Sequence, residues 1–474
     1  MISSERMAAV DRNAEALGVP RKQLMESSGN AVARAVRDAA DPGAAVAVVA
    51  GRGNNGGDAF AAVRFLDGYA TTVHLLGRPA TIRTAIAREN WDALREGEYD
   101  TRVVRDSADL DLGDPDVVVD AMLGTGVTGA LREPERSAAE AVNAADATVV
   151  AVDVPSGVDA DTGESAGVAV AADRVVTFHE MKPGLADREG VTVADIGIPR
   201  AAERFVGPGD LLALDRPADA HKGAFGRVMV VGGGPYTGAP ALAGQAALRA
   251  GADLAYVHAP AAVADEIQGY SEDLIVDAFP GERLTPDRVD DLLAAAEECD
   301  VVVLGPGLGA ADETRAAVEA FLAGYGGRAV VDADALQAVV AVETDATLVC
   351  TPHRGEFRAM GGEDAEAWRE RADRVEAFAA DLGHTLLVKG PYDVVSDGDE
   401  TRVSRTGNPG MTVGGTGDVL AGATGALLAT LDPVQAASVG AYATGRAGDA
   451  AAEDGYGLLA SDLLEHLPGA LWDR

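Results

Sequence analysis

The stretch VAVVAGRGNNGGDAF, residues 46–60, decides how the first half of the chain folds. An apolar, largely β-branched run, Val46–Ala50, passes without a linker into Gly51-Arg52-Gly53-Asn54-Asn55-Gly56-Gly57-Asp58. The following Ala59–Leu66 reads as helix. Gly51, Gly53 and Gly56 satisfy G-x-G-x-x-G in a strand–turn–helix setting. There, glycine lets backbone N–H groups approach a phosphate at a helix N-terminus, whose partial positive charge favours an anion. The acidic residue that commonly ends the second strand of such a unit and holds a ribose hydroxyl is missing, because Val73–Leu76 ends in Gly77-Arg78. An ordinary dinucleotide-dependent oxidoreductase is therefore the weakest reading.

Outward from this loop the same alternation continues. Val117–Asp120, Thr148–Val152 and Val175–Phe178 follow in the first half. In the second half come Val228–Val231, Leu254–Val257, Val301–Leu304, Ala329–Val331, Leu348–Cys350 and Leu386–Val388. Continuous apolar character, without period-two alternation, marks strands buried on both faces, hence parallel sheet with helical crossovers. Ser137–Ala145 and Asp312–Leu322 have the length and composition of those helices. The reading is α/β throughout, as two sandwiches. The Gly-, Pro- and Asp-rich stretch 206–222 is the join, giving domains 1–212 and 213–474.

Composition excludes several functions. The 474 residues are 47% hydrophobic and 24% charged, enough to bury two cores. The net charge of −37 repels phosphate backbones and anionic lipid, so nucleic-acid and membrane-surface roles are not expected. Cys299 and Cys350 are too few for a disulfide framework. No leader is read at the start, and no apolar run reaches the roughly eighteen residues of a membrane span. The chain reads as soluble and cytoplasmic. Its only lysines are Lys22, Lys182, Lys222 and Lys389. Abundant acid with scarce lysine is what salt-adapted chains display. Scarcity also makes each surviving lysine a candidate for chemistry.

Three polar loops leave strand ends in the first half: Asn54–Asp58, Asp120–Gly129 and Asp153–Asp159. In open parallel sheets, ligands sit beyond such ends. Asn55, Asp120 and Ser156 supply hard oxygen donors with one formal charge, a set suited to a monovalent cation rather than zinc. In the second half the richest glycine cluster is GNPGMTVGGTGDVLAG, residues 407–422. Its Gly414–Gly417 turn opens an apolar helix, so its N–H groups form an anion hole. Asp418, in that helix's first turn, can take a proton as an oxygen attacks phosphorus. No G-x-x-x-x-G-K-[ST] occurs, which excludes a P-loop kinase.

GRGNNGGDAF, DAMLGTGVTG and DVPSGVDADTG resemble the motifs of the NAD(P)HX epimerase family, over roughly residues 1–210. The resemblance implies a Rossmann-like three-layer sandwich. In it Asn54, Asn55, Gly56, Gly57, Asp58, Gly124, Thr125, Gly126, Val127, Thr128, Gly129, Ala130 and Asp153 bind the hydrated dinucleotide. It also implies a potassium ion on Asn55, Asp120 and Ser156, and inversion at the hydrated ring carbon. Asp153 is the acid/base candidate, with Lys182 in HEMKPG the other.

The second half resembles the ribokinase-like superfamily, an α/β/α sandwich, by its Gly-rich turn ending in Asp418. HKGAFGR at 221–227, Gly232–Gly234, GAPA at 238–241, GPGLG at 305–309, TPHRGE at 351–356 and Lys389-Gly390 resemble its ADP-dependent NAD(P)HX dehydratase branch. This implies that Ala239, Gly307, His353 and Asp418 contact the hydrate. It further implies that Lys389, Gly390, Asn408, Gly410, Met411, Gly414, Gly415, Thr416 and Gly417 hold ADP, with Mg2+ bridging its phosphates. Arg354 stands where the family usually has proline, and Pro391-Tyr392-Asp393 where a small residue and threonine are usual. The expected protein is thus a homo-oligomeric bifunctional enzyme acting on NADHX and NADPHX. The rivals are a ribokinase-like vitamin or sugar kinase with a dinucleotide-binding accessory module, and a first half that binds without catalysing.

Overall fold

A computed structural model describes residues 1–126 and 128–472; Val127, expected among the ligand contacts, lies outside them. The chain divides into two units, Met1–Ala202 and Glu203–Arg474.

In the first unit the strands are β1 (Ala45–Ala50), β2 (Ala70–Leu76), β3 (Asp100–Val104), β4 (Val117–Ala121), β5 (Thr148–Val152), β6 (Arg174–Phe178) and β7 (Val191–Ala194). They form one sheet in the order β3-β2-β1-β4-β5-β6-β7, every pairing parallel. Alternate residues serve opposite cores. Val46, Val48 and Ala50 pack with Val10, Val32, Phe60 and Trp91 on one face. Ala47 and Val49 pack with Ala138, Ala139 and Val142 on the other. Helix after strand covers both faces, which gives the three layers the sequence implied. The order reverses between β1 and β4, and ligand crevices form at such a switch point.

The second unit contains β8 (Arg227–Val231), β9 (Leu254–Pro260), β10 (Ile275–Phe279), β11 (Val301–Leu304), β12 (Arg328–Val331), β13 (Thr347–Cys350), β14 (Thr385–Val388), β15 (Asp393–Ser396) and β16 (Thr401–Ser404). Their order is β10-β9-β8-β11-β12-β13-β14-β15-β16. Parallel pairing runs from β10 to β14, and β15 and β16 add an antiparallel edge. Residues 203–212, placed with the first domain on sequence grounds, pack in this unit. Val206 N–H donates to Val403 O at 2.9 Å. Asp210 also pairs with Arg402 at 2.7 Å, both side chains buried. This segment covers the outer edge of β16, which would otherwise offer unpaired backbone groups.

One helix organises the second unit. Thr416–Leu428 is buried along every residue from Val419 to Leu428, which accounts for its Ala, Gly and Leu composition. It crosses the helix Gly238–Arg249 so closely that a Cβ on Gly422 would lie 2.0 Å from the Ala243 carbonyl oxygen. Because the obstacle is backbone, relief requires the helices to separate. Gly422→Ala is therefore expected to cost about 1–3 kcal/mol, read as a lower denaturation midpoint in chemical unfolding of the full chain.

Candidate active sites in the two units

In the first unit, loops leaving β1, β4 and β5 converge on a cavity of about 370 Å³. The helix of the glycine loop begins earlier than expected, at Asn54 and not Ala59. Asn54-Asn55-Gly56-Gly57-Asp58 is thus its first turn, with free N–H groups directed out of its end. Asn55 ties the loops together, its amide donating to Leu123 O at 2.8 Å and to Val152 O at 3.1 Å. Asn54 and Asp58 line the cavity with Gly124, Thr125, Gly126 and Asp153. Gly56 and Gly57 serve packing: a Cβ there would meet Gly51 O at 2.2 Å and the Met25 methyl at 2.8 Å. Thr128, Gly129 and Ala130 follow as exposed backbone.

Asp120 is fully buried at the end of β4. Its carboxylate accepts from Ser156 Oγ at 2.7 Å, Ser156 N at 2.8 Å and Met122 N at 3.3 Å. Burial nevertheless pushes its pKa up to about 6, against those hydrogen bonds. Asn55 reaches the same spot through Leu123, whose N–H donates to Ser156 Oγ at 3.0 Å. Three donor residues predicted from sequence are thus brought together.

Beside them lies an acid cluster that sequence reasoning found only in part. Asp153 adopts a left-handed backbone, φ 64°, a conformation that Asp and Asn tolerate through local hydrogen bonding. Its Oδ1 accepts from Thr177 Oγ1 at 3.0 Å and lies 3.4 Å from Lys182 Nζ. Lys182 is wholly buried and donates to Phe178 O at 2.7 Å and Glu180 O at 3.2 Å. Burial, then the charges of Asp153 and Asp11, hold Asp58 well above the usual carboxylate range. Asp11, on the helix Ser4–Ala16, was not anticipated. Burial raises it to about 6, Arg21 and Lys182 opposing and Asp153 adding.

In the second unit the helix Gly238–Arg249 follows β8, and the first turn of Thr416–Leu428 lies beside Lys389 and Asp332, the residues that follow β14 and β12. Gly415, with φ 100°, is the left-handed cap that lets the Gly414–Gly417 backbone turn into the second of these helices. Asp418 follows in the first turn. Burial raises its pKa to about 7; Asp332 adds to this and Lys389 subtracts. Lys389 Nζ donates to Asp332 Oδ1 at 2.8 Å, and Asp332 also accepts from Thr351 Oγ1 at 2.8 Å. Burial disfavours the Lys389 ammonium, but Asp332, Glu356 and Asp418 outweigh it and move its pKa upward. The ammonium sits 3.3 Å from where a Gly417 Cβ would be, against the anion-hole turn.

Other predicted contacts have structural duties. His353 is the N-cap of the helix Arg354–Ala359: its Nδ1 accepts from Gly355 N and Glu356 N while Glu356 returns a bond to His353 N–H. Its ring bonds the backbone through Nδ1, and Nε2 lies 3.5 Å from Glu356 Oε1. Gly390 N–H is committed to Asp393 Oδ1 at 2.8 Å. Asn408 braces its own loop, donating to Gly448 O at 2.9 Å and accepting from Gly410 N at 3.0 Å. Met411 fills the space over Gly448. Ala239 is the second residue of its helix. Gly307, φ 74°, packs under the Tyr236 carbonyl. Arg354, the departure from the family pattern, binds Asp364 at 2.8 Å and Glu366 at 3.1 Å.

Comparison with known proteins bears on the family and the fold. The sequence matches the family model for NAD(P)H-hydrate dehydratase over residues 228–469 and that for the YjeF-related protein N-terminus over residues 21–184. It is 47% identical to the bifunctional NAD(P)H-hydrate repair enzyme Nnr of Pyrobaculum aerophilum, across 98% of this chain and 97% of that one. The protein of the same name from Methanothermobacter thermautotrophicus is 44% identical over 98% and 94%. Among solved structures, the ADP/ATP-dependent NAD(P)H-hydrate dehydratase of Bacillus subtilis, co-crystallised with ATP/Mg2+, aligns at a TM-score of 0.50 and 27% identity, covering 57% of this chain and 98% of that chain. A ribokinase-like superfamily protein from Enterococcus faecalis aligns at 0.51 and 26%, covering 57% and 95%.

Proposed function

This chain belongs to the family of bifunctional NAD(P)H-hydrate repair enzymes, and we infer that its two units act in turn on one damaged cofactor. The first interconverts the (R) and (S) hydrates of NADH or NADPH; the second dehydrates the (S) form at the expense of ADP. What carries the reading is Asp418, an acid tuned to about 7 in the first turn of a buried helix, behind an anion hole and beside Lys389.

Hydroxide leaves a ring poorly at neutral pH. In the second unit Asp418 takes the proton of the ring hydroxyl as its oxygen attacks the β-phosphorus of ADP, and AMP departs. The N–H groups of Gly414–Gly417 and the Lys389 ammonium stabilise charge growing on the transferred phosphoryl group. The ring nitrogen's lone pair then expels phosphate, and loss of a proton from the neighbouring carbon restores the dihydropyridine. Among the described residues no cluster of His, Cys, Asp or Glu could cage a metal. Magnesium carried on the nucleotide would neutralise phosphate charge beside the Gly414–Gly417 turn and Lys389.

In the first unit the carboxyl groups of Asp11 and Asp58, pushed upward, are proton donors to the leaving hydroxyl. Asp153, beside Lys182, is the carboxylate that stabilises the cationic ring and accepts the proton when water returns to the opposite face. Potassium fits Asn55, Asp120 and Ser156 because, among the described residues, Asp120 is a buried carboxylate with no cationic side chain against it and Asn55 Oδ1 accepts no hydrogen bond. The ion would keep Asp120 charged and fix the β4 and β5 loops. Asp120→Asn, with folding checked by its melt, is expected to abolish stimulation of epimerisation when KCl replaces tetramethylammonium chloride at constant ionic strength. Undiminished stimulation would remove potassium from these residues.

The assay that tests the whole reading gives the full chain hydrated NADH and follows recovery of the reduced ring's near-ultraviolet absorbance. Recovery should require ADP, and both epimers should be consumed. ATP with hydroxymethylpyrimidine or sugars should give no phosphorylated product; such a product would favour the kinase reading.

A further inference from the structure

The end of β2 is where a dinucleotide-binding sheet reads the adenosine ribose: an acid there accepts from the 2′-hydroxyl, an arginine there accommodates a 2′-phosphate. In this chain the position is Gly77, with φ 107°. A Cβ on it would lie 2.9 Å from Arg52 Cδ and 3.2 Å from Arg52 Nε. The Arg52 side chain therefore lies over the place an acidic side chain would occupy.

A second guanidinium is delivered to the same rim. Arg83 lines the cavity together with Arg52, and its backbone N–H donates to Arg52 O at 2.8 Å. The loop between them is stiffened by Arg88, which donates to Pro79 O at 2.9 Å, Ala80 O at 3.1 Å and Ile82 O at 2.7 Å. Arg83's guanidinium has no hydrogen bond or ion pair among the described residues. Among the described residues Arg52 makes a long bond to Thr81 Oγ1, 3.5 Å, and a loose ion pair with Glu135 Oε1 at 3.8 Å. Both guanidiniums thus keep N–H donors to spare on one cavity rim, where an anionic group of a ligand would join them.

We propose that Arg52 and Arg83 form a phosphomonoester subsite which makes the 2′-phosphorylated hydrate, NADPHX, the preferred substrate of the first unit. This deepens the epimerase reading and rests on it. Guanidinium–phosphate pairs are charge-assisted and planar, so each arginine discriminates a phosphate from a hydroxyl.

The test is epimerisation kinetics of the full chain without ADP, so that the dehydratase is silent, with NADHX and NADPHX epimers separated by chiral chromatography at fixed salt. kcat/KM should favour NADPHX by at least about tenfold. Arg83→Ala and Arg52→Gln should each bring the ratio toward one, and Arg83→Lys should recover part of it. A wild-type ratio near one overturns the proposal. So does a parallel fall for both substrates, which would assign the arginines to the pyrophosphate that both share. If neither hydrate is epimerised, the activity assignment fails instead. Calorimetric titration of NADP+ against NAD+, wild type paired with Arg83→Ala, then reads the subsite alone: a NADP+ advantage lost in the variant supports it, and equal binding in both refutes it.

Discussion

Asp418→Asn is expected to slow dehydration by about 10²–10⁴-fold while ADP binding changes by less than about tenfold. The substitution keeps the side chain's shape in the first helical turn and leaves the Gly414–Gly417 amides and Lys389 untouched, so the nucleotide keeps its donors. What is lost is the proton acceptor. The pH behaviour supplies a sharper signature. Burial first, and the nearby Asp332 second, raise this carboxyl from 3.8 to about 7. A base acts when ionised, so kcat/KM for the wild type should climb through pH 6–7 and level off above. The variant's residual activity should lack that limb. Stability should move oppositely. The folded state binds this proton more tightly than the unfolded chain does, so the group's contribution is fully present below about 4 and disappears as pH rises through 7. Asp418→Asn should therefore gain stability relative to wild type across that interval. A variant with near-normal turnover would remove Asp418 from the chemistry.

Asp153→Asn should lower epimerisation by a similar factor, about 10²–10⁴, with dehydration of the (S) hydrate retained. Asparagine accepts the left-handed backbone at 153, so the loop after β5 should survive. The charge facing Lys182 would not. The buried ammonium would keep the Phe178 and Glu180 carbonyls but lose its nearest carboxylate, and the cationic ring would lose the group placed to stabilise it. Chiral separation of the hydrates during a time course reads the loss directly. Equal rates for variant and wild type would shift the role to Asp11 or Asp58.

The interior strands were legible because burial on both faces demands uninterrupted apolar residues. The missed strands lie where that demand lapses. β3, β7 and β10 are sheet edges in which a single position each is fully buried, so Asp100, Thr192 and Asp277 interrupt the pattern. β15 and β16 belong to the antiparallel margin and carry polar ends. Candidate site residues were readable where a strand end runs into a glycine loop, as at Asn55, Asp120, Asp153 and Asp418. Asp332, which orients Lys389, obeys the same strand-end rule after β12 and could have been found by it. Asp11 could not, since it reaches the cavity only through packing of an ordinary amphipathic helix. His353 illustrates the opposite risk. His353 followed three residues later by Glu356 is a capping pattern, and the ring's bonds to Gly355 and Glu356 follow from it.

The position of ADP bound to the full chain, determined crystallographically with magnesium present, tests the central claim most directly. The account predicts its phosphates against the amides of Gly414–Gly417 and the Lys389 ammonium, with an Asp418 carboxylate oxygen within roughly 3–4 Å of where the attacking hydroxyl must sit. ADP bound elsewhere in the chain, with that turn left to solvent, would contradict it.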